Sequence, residues 1–335
     1  MAVVFSKNSG LNDDMWNEWS PLLIAKMNDV DTEKNSDDEL VKDLFNVKKS
    51  DKFGEKAAGM TSFGNFEIVE EGADGVQDEL QEAFSKLIEH KQFIKSFVCT
   101  AEMAEDGNFD AMSLAATNFM RAYKRSRAQF ASDCLVTEGA TFTFGAKTGL
   151  DKTTGDQKGL FAVDHPGIKT GVAAQCNVFT DAFGTDSTVL NRLANIGRNF
   201  RNASGQVMGY DFDTIIIPGN TPVLEDTVKR IIRSDLQAGS NLNDINTQKG
   251  LWKLIVDHRW TVTDGEPFIL MSSEANRELM GSVFYDRIPL NVRNEVKNLS
   301  RNLEWSGRAR FSAGFYDWRH ILMGGAATGK SSTGA

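Results

Sequence analysis

Apolar side chains recur at steps of three and four between Asp106 and Asp133. The stripe consists of Phe109, Met112, Ala116, Phe119, Tyr123, Arg127 and Phe130. Because a helix turns once every 3.6 residues, this spacing places the stripe on one face and predicts a long helix over 106–133. Asp106 and Asn108 are candidate N-caps, since their side-chain oxygens can accept hydrogen bonds from free amides of the first turn.

Between about 181 and 286 the pattern changes to short apolar runs that alternate with helical spacing. The runs 215–217, 254–256 and 268–271 predict buried strands, and Thr221-Pro222 predicts a helix with proline in its first turn. This alternation predicts a compact α/β subdomain. Residues 134–180 are typical of strands and loops. After Pro289 the chain is extended and alternating up to Met323, and 324–335 predict a flexible tail.

The segment from Phe63 to Phe97 contains two half-polar runs around Gly72-Ala73-Asp74-Gly75. Glycine permits the backbone angles of a tight reversal, so a long hairpin is predicted across this segment. The part of the second arm around Leu80 and Ile88 also fits helical spacing, and we favour a strand. The arms are too polar to bury both faces in their own domain. We therefore expect them to complete their burial against another subunit.

The first 48 residues read as polar and irregular, with an apolar knot that includes Trp16 and Trp19. Such a segment is either disordered or an arm that becomes ordered on another surface.

Composition limits the function classes. The chain has 335 residues, 41% of them hydrophobic, which is enough for a substantial core and two or three domains. Its 37 basic and 46 acidic side chains give a net charge of −9, which argues against a protein that mainly grips nucleic acid. Three cysteines without metal-ligand spacing indicate reduced thiols in a cytoplasmic setting. No apolar run reaches the length of a membrane span, so we expect a soluble protein.

Sequence motifs give no catalytic centre. Gly324–Ser331 fits the phosphate-loop pattern, but too few residues follow Ser331 to form the helix that such a loop needs. The pairs Asp164-His165 and Asp257-His258 belong to no nucleophile motif. The acidic cluster around Glu70 lacks the register of a calcium loop, so a surface role or an intersubunit salt bridge is the better interpretation. We predict that the protein binds no cofactor and no metal ion and that it is not an enzyme.

The order of these parts resembles the major capsid protein of tailed bacteriophages, the Hong Kong 97-type fold, and is most similar to the Mu-type major head subunit family. The residues that carry the resemblance are 63–67, 77–82, 89–90, 95–97, 102–106, 160–166 and 315–319. The resemblance covers nearly the whole chain from about residue 50.

It implies an α+β Hong Kong 97-type fold with a defined division of the chain. The implied parts are an N-terminal arm (1–48), an extended β-hairpin loop (49–100), a peripheral domain (101–180) with spine helix 106–133, an axial domain (181–286), return strands of the peripheral domain (287–323) and a flexible C-terminal tail (324–335).

It also implies a major head protein that assembles in the bacterial cytoplasm as hexamers and pentamers and closes into an icosahedral shell around double-stranded DNA. The implied partners are other copies of the chain, a separate scaffolding protein, a portal protein and DNA bound without sequence specificity, with no membrane. An encapsulin-like compartment keeps the fold and changes the use. A hydrolase that uses His165 or His258 is a further alternative.

Two sets of site residues follow as hypotheses. The first would make intersubunit contacts, because it combines aromatic, acidic and arginine side chains: Phe63, Phe66, Glu67, Glu70, Glu71, Asp74, Asp78, Glu79, Phe84, Trp16, Trp19, Arg308 and Arg310. The second is a basic cluster on the predicted helix, either a solvated face or a surface near the packaged DNA: Arg121, Lys124, Arg125 and Arg127.

Overall fold

The computed structural model describes residues 4–7, 14–60, 68, 70–71, 82–167, 171–202, 205–237, 244–297 and 300–334. The helices are α1 (Asp14–Thr32), α2 (Ser36–Leu44), α3 (Ala101–Glu105), α4 (Phe109–Val136), α5 (Thr188–Arg198), α6 (Pro222–Arg233) and α7 (Ser273–Glu278). The strands are β1 (Val4–Lys7), β2 (Asn46–Lys49), β3 (Gly54–Met60), β4 (Glu82–Glu89), β5 (Lys91–Cys99), β6 (Thr141–Phe144), β7 (Lys147–Asp151), β8 (Thr214–Pro218), β9 (Lys253–Asp257), β10 (Phe268–Met271), β11 (Ser282–Val296), β12 (Leu303–Phe315) and β13 (Ile321–Gly324).

The chain forms two compact units. The first contains 1–55, 88–131 and 284–313, and the second contains 56–87, 132–283 and 314–335. These units divide both the predicted segment 101–180 and the predicted segment 287–323. The C-terminal division has a clear cause, because β13 pairs antiparallel with β10 and so belongs to the sheet of the second unit.

The first unit is built on a sheet with the order β1-β11-β12-β5 and with β2 also paired to β11. Its core is aromatic. The rings of Phe93 and Phe311 stack at 3.8 Å, and Phe130 of α4 meets both edge-on. At Gly307 of β12 a Cβ would lie 2.5 Å from Cζ of Phe119, so the absence of a side chain lets α4 pack closely on this strand.

The predicted long helix is confirmed, but its start is shifted. Asn108 Oδ1 accepts a hydrogen bond from the amide of Ala111 at 3.4 Å, as an N-cap should. The prediction that Asp106 could cap this helix is wrong, because Asp106 follows the short helix α3 as its C-cap. The apolar pattern alone cannot separate α3 from α4, since the break between them is a glycine turn at Gly107.

The interpretation of residues 1–48 as irregular is wrong for the part of the segment that the structure describes, which contains α1 and α2. Leu23 and Met27 of α1 are fully buried, and so is Leu44 of α2. Asn35 caps α2 by accepting from the amide of Asp37 at 3.2 Å. The described acidic residues lie at exposed or half-buried positions between these buried ones, so the amphipathic pattern resembled a merely polar segment.

The second unit contains a sheet with the order β13-β10-β8-β9, and its predicted buried strands are confirmed. All five residues of β8 are buried. Pro222 occupies the first turn of α6, as the sequence predicts. The described part of the C-terminal segment is not a free tail, because the amides of Ala326 and Lys330 donate to the carbonyls of Phe179 and Val178.

Candidate assembly surfaces

The predicted hairpin is present as the pair β3 and β4. The second arm is a strand over Glu82–Glu89, which agrees with the favoured interpretation. Near the tip the structure describes Ile68, Glu70 and Glu71, and all three are exposed. The predicted turn at 72–75 lies outside the described residues. The contact residues Phe63, Phe66, Glu67, Asp74, Asp78 and Glu79 lie outside them as well.

The sides of the hairpin present apolar surface. Phe84 and Leu87 on β4 are 37% and 47% exposed. Lys86 forms an ion pair with Asp151 and contacts the hydroxyl of Thr153, so a charged side chain fixes this strand while Phe84 and Leu87 keep part of their apolar surface exposed. The role of Phe84 in an intersubunit contact stays a prediction.

The two ends of the hairpin segment are joined by a buried hydrogen-bond chain. Ser50 Oγ donates to Glu55 Oε1 at 2.7 Å and lies 2.9 Å from His90 Nε2. The other ring nitrogen, Nδ1, lies 2.9 Å from Ser312 Oγ on β12. Burial, followed by the nearby positive charge of Arg287, lowers the pKa of His90. The neutral ring of His90, just after β4, therefore links Ser50, just before β3, to Ser312 on β12.

The two tryptophans of the arm differ in their surroundings. Trp16 is buried, and its Nε1 donates to the carbonyl of Arg301 at 2.9 Å. In this structure it is part of the core of its own unit, so its predicted role as an intersubunit contact is not supported. Trp19 is half-buried and stacks on Phe109 with ring centroids 5.4 Å apart. Its outer face remains open to a neighbour.

The basic cluster on α4 divides in two. Lys124 is buried, and its Nζ donates to the carbonyls of Asp31 and Glu33 and lies 3.3 Å from the Asp38 carboxylate. Lys124 therefore holds the α1–α2 segment on α4. Arg127 is also paired, with its guanidinium group 2.7 Å from the Asp286 carboxylate, so neither cation faces a polyanion. Arg121 and Arg125 are exposed one helical turn apart. The prediction of a surface near DNA is wrong for the first pair and stays a prediction for the second.

Arg308 and Arg310 extend from one face of β12. They are paired in register with Ile94 and Gln92 of β5, the strand at the edge of the sheet. Arg308 is exposed and Arg310 is half-buried. Arg287 on the adjacent strand β11 was not predicted from the sequence; after burial, its positive charge is the next cause of the lowered pKa of His90 and of Arg310. Its position in an alternating strand is the one signal that could have indicated it.

The candidate hydrolase pairs have other partners. Asp164 pairs with Lys158 at 2.6 Å on the surface, while the buried His165 lies 2.7 Å from Asp156. Asp257 accepts from Ser132 Oγ at 2.5 Å, and His258 beside it is exposed. Each histidine is therefore separated from its neighbouring aspartate. In the described part of the chain, His, Cys, Asp and Glu side chains form no group of three that could hold a metal ion.

The three cysteines are buried and free. Burial raises the pKa of Cys99 to about 11 and that of Cys134 to about 12. Their thiols are therefore protonated and unreactive at neutral pH.

Comparison with known proteins decides the family. The model of a family described as phage capsid protein matches residues 83–323, most of the chain. The chain belongs to the phage capsid protein family. None of the curated protein sequences matches it significantly.

Solved capsids share the fold of this phage capsid protein. It is similar to the capsid of an empty GTA particle, with 12% identity and a TM-score of 0.53 over 87% of this chain and 90% of that one. The capsid of the native GTA particle has 10% identity and a TM-score of 0.54 over 87% of this chain and 91% of that one. The capsid of Myoviridae Phage XM1 has 10% identity and a TM-score of 0.53 over 84% of this chain and 90% of that one. At such identities the likeness bears on the fold.

The solved capsids confirm the expected α+β Hong Kong 97-type fold, and the family model confirms the expected role as a phage capsid protein. They do not favour the encapsulin-like alternative. The finer likeness to Mu-type head subunits stays a prediction. Among the described helices, none combines the length and the apolar character that crossing a bilayer requires.

Proposed function

We propose that this phage capsid protein assembles as hexamers and pentamers into an icosahedral shell around double-stranded DNA. Assembly takes place in the cytoplasm of the bacterial host with a separate scaffolding protein and a portal protein. The observation that carries this proposal is the β3–β4 hairpin, whose described tip residue Ile68 is fully exposed. A large apolar side chain that no other described residue covers favours a neighbouring subunit as its partner.

The proposed mechanism is geometric. Each extended loop (49–100) lies across an adjacent subunit and buries the outward side chains of Phe84 and Leu87, so that many modest contacts build a cooperative lattice. Residues 1–48 act as the arm and α4 as the spine helix of the peripheral domain. Residues 181–286 act as the axial domain, close to the axis of each hexamer or pentamer.

Charge fits a container for DNA. A net charge of −9 avoids strong binding to phosphate, which would hinder packaging and release. Arg121 and Arg125 of α4 are the exposed members of the basic cluster, and we assign to them weak contact with the packaged DNA. Replacing both with glutamine should leave empty shells unchanged and reduce the DNA retained in filled particles at high salt.

The decisive experiment is negative-stain electron microscopy of the purified protein and of a variant in which residues 64–82 are deleted. We expect closed polyhedral particles from the unaltered chain. The variant should give folded, soluble subunits and no shells, because only the loop is removed. Normal shells from the variant would show that the loop is dispensable for assembly.

A further inference from the structure

Three arginines of the first unit lie together on one face of its sheet. Arg308 and Arg310 are alternate residues of β12, so their side chains point to the same side, and Arg287 lies on the adjacent strand β11. We call these three residues the arginine triplet. Burial, and then the charges of Arg287 and Arg308, lower the pKa of Arg310, as expected for like charges on one face of adjacent strands.

The triplet has no counter-ion among the described residues. The acceptors that it finds there are the side-chain oxygen of Gln92, 3.4 Å from Arg308 Nη2, and the carbonyl of His90, 3.5 Å from Arg310 Nη2. Both distances are at the limit of a hydrogen bond. Arg310 Nε and Arg287 Nη1 are buried and have no hydrogen-bond partner within this part of the chain.

This arrangement costs free energy in the isolated subunit. Like charges at short range repel each other, and a buried N–H group without an acceptor is less stable than one that is hydrogen-bonded to water. Buried donors that remain unpaired in a native protein require an explanation. An anion bound from outside would satisfy the free donors and cancel the repulsion, and guanidinium groups bind carboxylates through two parallel hydrogen bonds.

Apolar side chains adjoin the triplet and restrict the nature of its partner. Ile94 and Val98 lie on the same face of the edge strand β5 and are 63% and 49% exposed; Ile94 is the register partner of Arg308, and Val98, further along the strand, is that of Glu304. A nucleic-acid backbone would offer phosphate to the arginines and nothing to these two side chains. A segment of protein that carries both acidic and apolar residues fits the whole surface.

The chain itself contains such a segment. Residues 57–85 include no lysine, arginine or histidine, and they include Glu67, Glu70, Glu71, Asp74, Asp78, Glu79 and Glu82. Glu70 and Glu71 are exposed beside the fully exposed Ile68. We propose that the arginine triplet receives this acidic segment of the extended loop from a second copy of the chain. The inference rests on the proposed function and identifies the surface that the loop binds.

A charge exchange tests the pairing. The first variant is Arg308→Glu/Arg310→Glu, and the second is Glu70→Arg/Glu71→Arg. We expect each to lower the yield of shells at least tenfold at a fixed protein concentration, measured by sedimentation and negative-stain counting. The variant that carries all four substitutions should regain at least half of the lost yield. A 1:1 mixture of the first two variants should also regain shells, because a loop from one copy then meets a complementary surface on the other.

Controls separate assembly from folding. Arg293→Glu makes the same change of charge as each single substitution above, at an exposed position of β11 outside the triplet. It should leave the yield of shells within twofold of that of the unaltered chain. Arg308→Gln/Arg310→Gln removes the charges without introducing acids at the half-buried Arg310. Circular dichroism of each unassembled variant should match that of the unaltered subunit, so that a lost shell reports a lost contact.

The possible outcomes are distinct. Normal yields from Arg308→Gln/Arg310→Gln would overturn the inference, and so would folded single-set variants whose yield does not recover in the fourfold variant. Normal shells with a reduced DNA content would assign the triplet to phosphate and overturn it too. Recovery in the fourfold variant but not in the mixture would place the contact within one chain, again against the inference. If the unaltered chain forms no shells, the proposed function itself fails.

Discussion

His90 Nε2 lies 2.9 Å from Ser50 Oγ, and this contact joins two segments 40 residues apart that flank the β3–β4 hairpin in the chain. The hydroxyl group of Ser50 has one proton, which it uses in the hydrogen bond to Glu55 Oε1. His90 Nε2 must therefore donate to Ser50, and Nδ1 accepts from Ser312. The network is complete with a neutral imidazole, which agrees with the lowered pKa of His90.

The first prediction concerns acid. Because the folded pKa of His90 is lowered, the unfolded chain takes up the proton first as the pH falls, and the contribution of the neutral ring to stability is lost below the ordinary range of histidine. Urea unfolding of the unassembled subunit at pH 7 and pH 5 should show that the free energy of unfolding falls more for the unaltered chain than for His90→Gln. His258→Gln, at an exposed position, is the control and should lose as much as the unaltered chain.

The second prediction concerns the arm. Asp38 lies 3.3 Å from Lys124 and 3.5 Å from Arg127, and Lys124 is almost completely buried. Asp38→Ala should lower the free energy of unfolding of the first unit by about 1–3 kcal/mol, because the buried ammonium group of Lys124 loses one of its acceptors. Hydrogen exchange of α2 should become faster. Glu39→Ala removes the same charge from the same turn at an exposed position, and a similar effect there would contradict the assignment.

The sequence predicted elements wherever one periodicity dominates. The stripe from Phe109 to Phe130 faces the aromatic core of one sheet, and the run 215–217 is a strand buried throughout, so in both cases the local pattern reports the local environment. Residues 1–48 were misinterpreted because charged and other polar side chains fill most of the exposed and half-buried positions of α1 and α2 and obscure the helical spacing of the buried ones. The C-terminal segment was misinterpreted because it is ordered by backbone hydrogen bonds to 178–181, which leave no mark in the sequence.

The candidate surfaces were less predictable, because they depend on pairs distant in the chain. Arg308 and Arg310 could be proposed from composition alone. Arg287 could not, because only the pairing of β11 with β12 brings it to them. Lys124 and Arg127 show the converse error, since a basic cluster on a helix gives no sign of the carboxylates that fold back onto it.

The third prediction concerns the buried pair of His165 and Asp156. Asn177 donates through Nδ2 to the carbonyl of Leu160, so its Oδ1 faces His165 Nε2 at 3.2 Å. His165 thus lies between two acceptors and stacks on Trp318 at 4.2 Å. Burial disfavours the charged form of Asp156 and by itself would raise its pKa. Hydrogen bonds from His165 and from Thr154 stabilise the charged form by more, so the pKa of Asp156 is lowered.

Asp156→Asn should therefore lower the free energy of unfolding at pH 7 by about 3 kcal/mol, because it breaks a buried pair. Since the lowered pKa stabilises the folded chain only above the ordinary carboxyl range, the difference between variant and unaltered chain should shrink as the pH falls below about 4. Urea unfolding over pH 3–7 measures it. Asp164→Asn, at the exposed neighbouring position, should leave the free energy of unfolding close to that of the unaltered chain.

The fourth prediction concerns Lys152, which is fully buried after β7. Its Nζ donates to the carbonyl of Leu135 at 3.0 Å and to that of Thr137, and so caps the end of α4. Burial lowers its pKa to about 8. Between pH 7.5 and 9.5 the free energy of unfolding of the unaltered chain should rise by about 2 kcal/mol relative to Lys152→Met, because the folded state releases its proton first. Lys147→Met, at an exposed position of β7, should show no such difference.

The fifth prediction concerns the contact of Gly281 with His320. A Cβ at Gly281 would lie 2.1 Å from His320 Nδ1 and 2.4 Å from Cγ, and the ring cannot move away because it is fully buried and lies 2.7 Å from Ser282 Oγ. Gly281→Ala should therefore lower the free energy of unfolding by about 2 kcal/mol or more. At Gly184 the nearest atom would be 3.6 Å from the new Cβ, so Gly184→Ala should stay within about 0.5 kcal/mol of the unaltered chain. Equal thermal-unfolding midpoints for the two variants would show that the chain near Gly281 can relax.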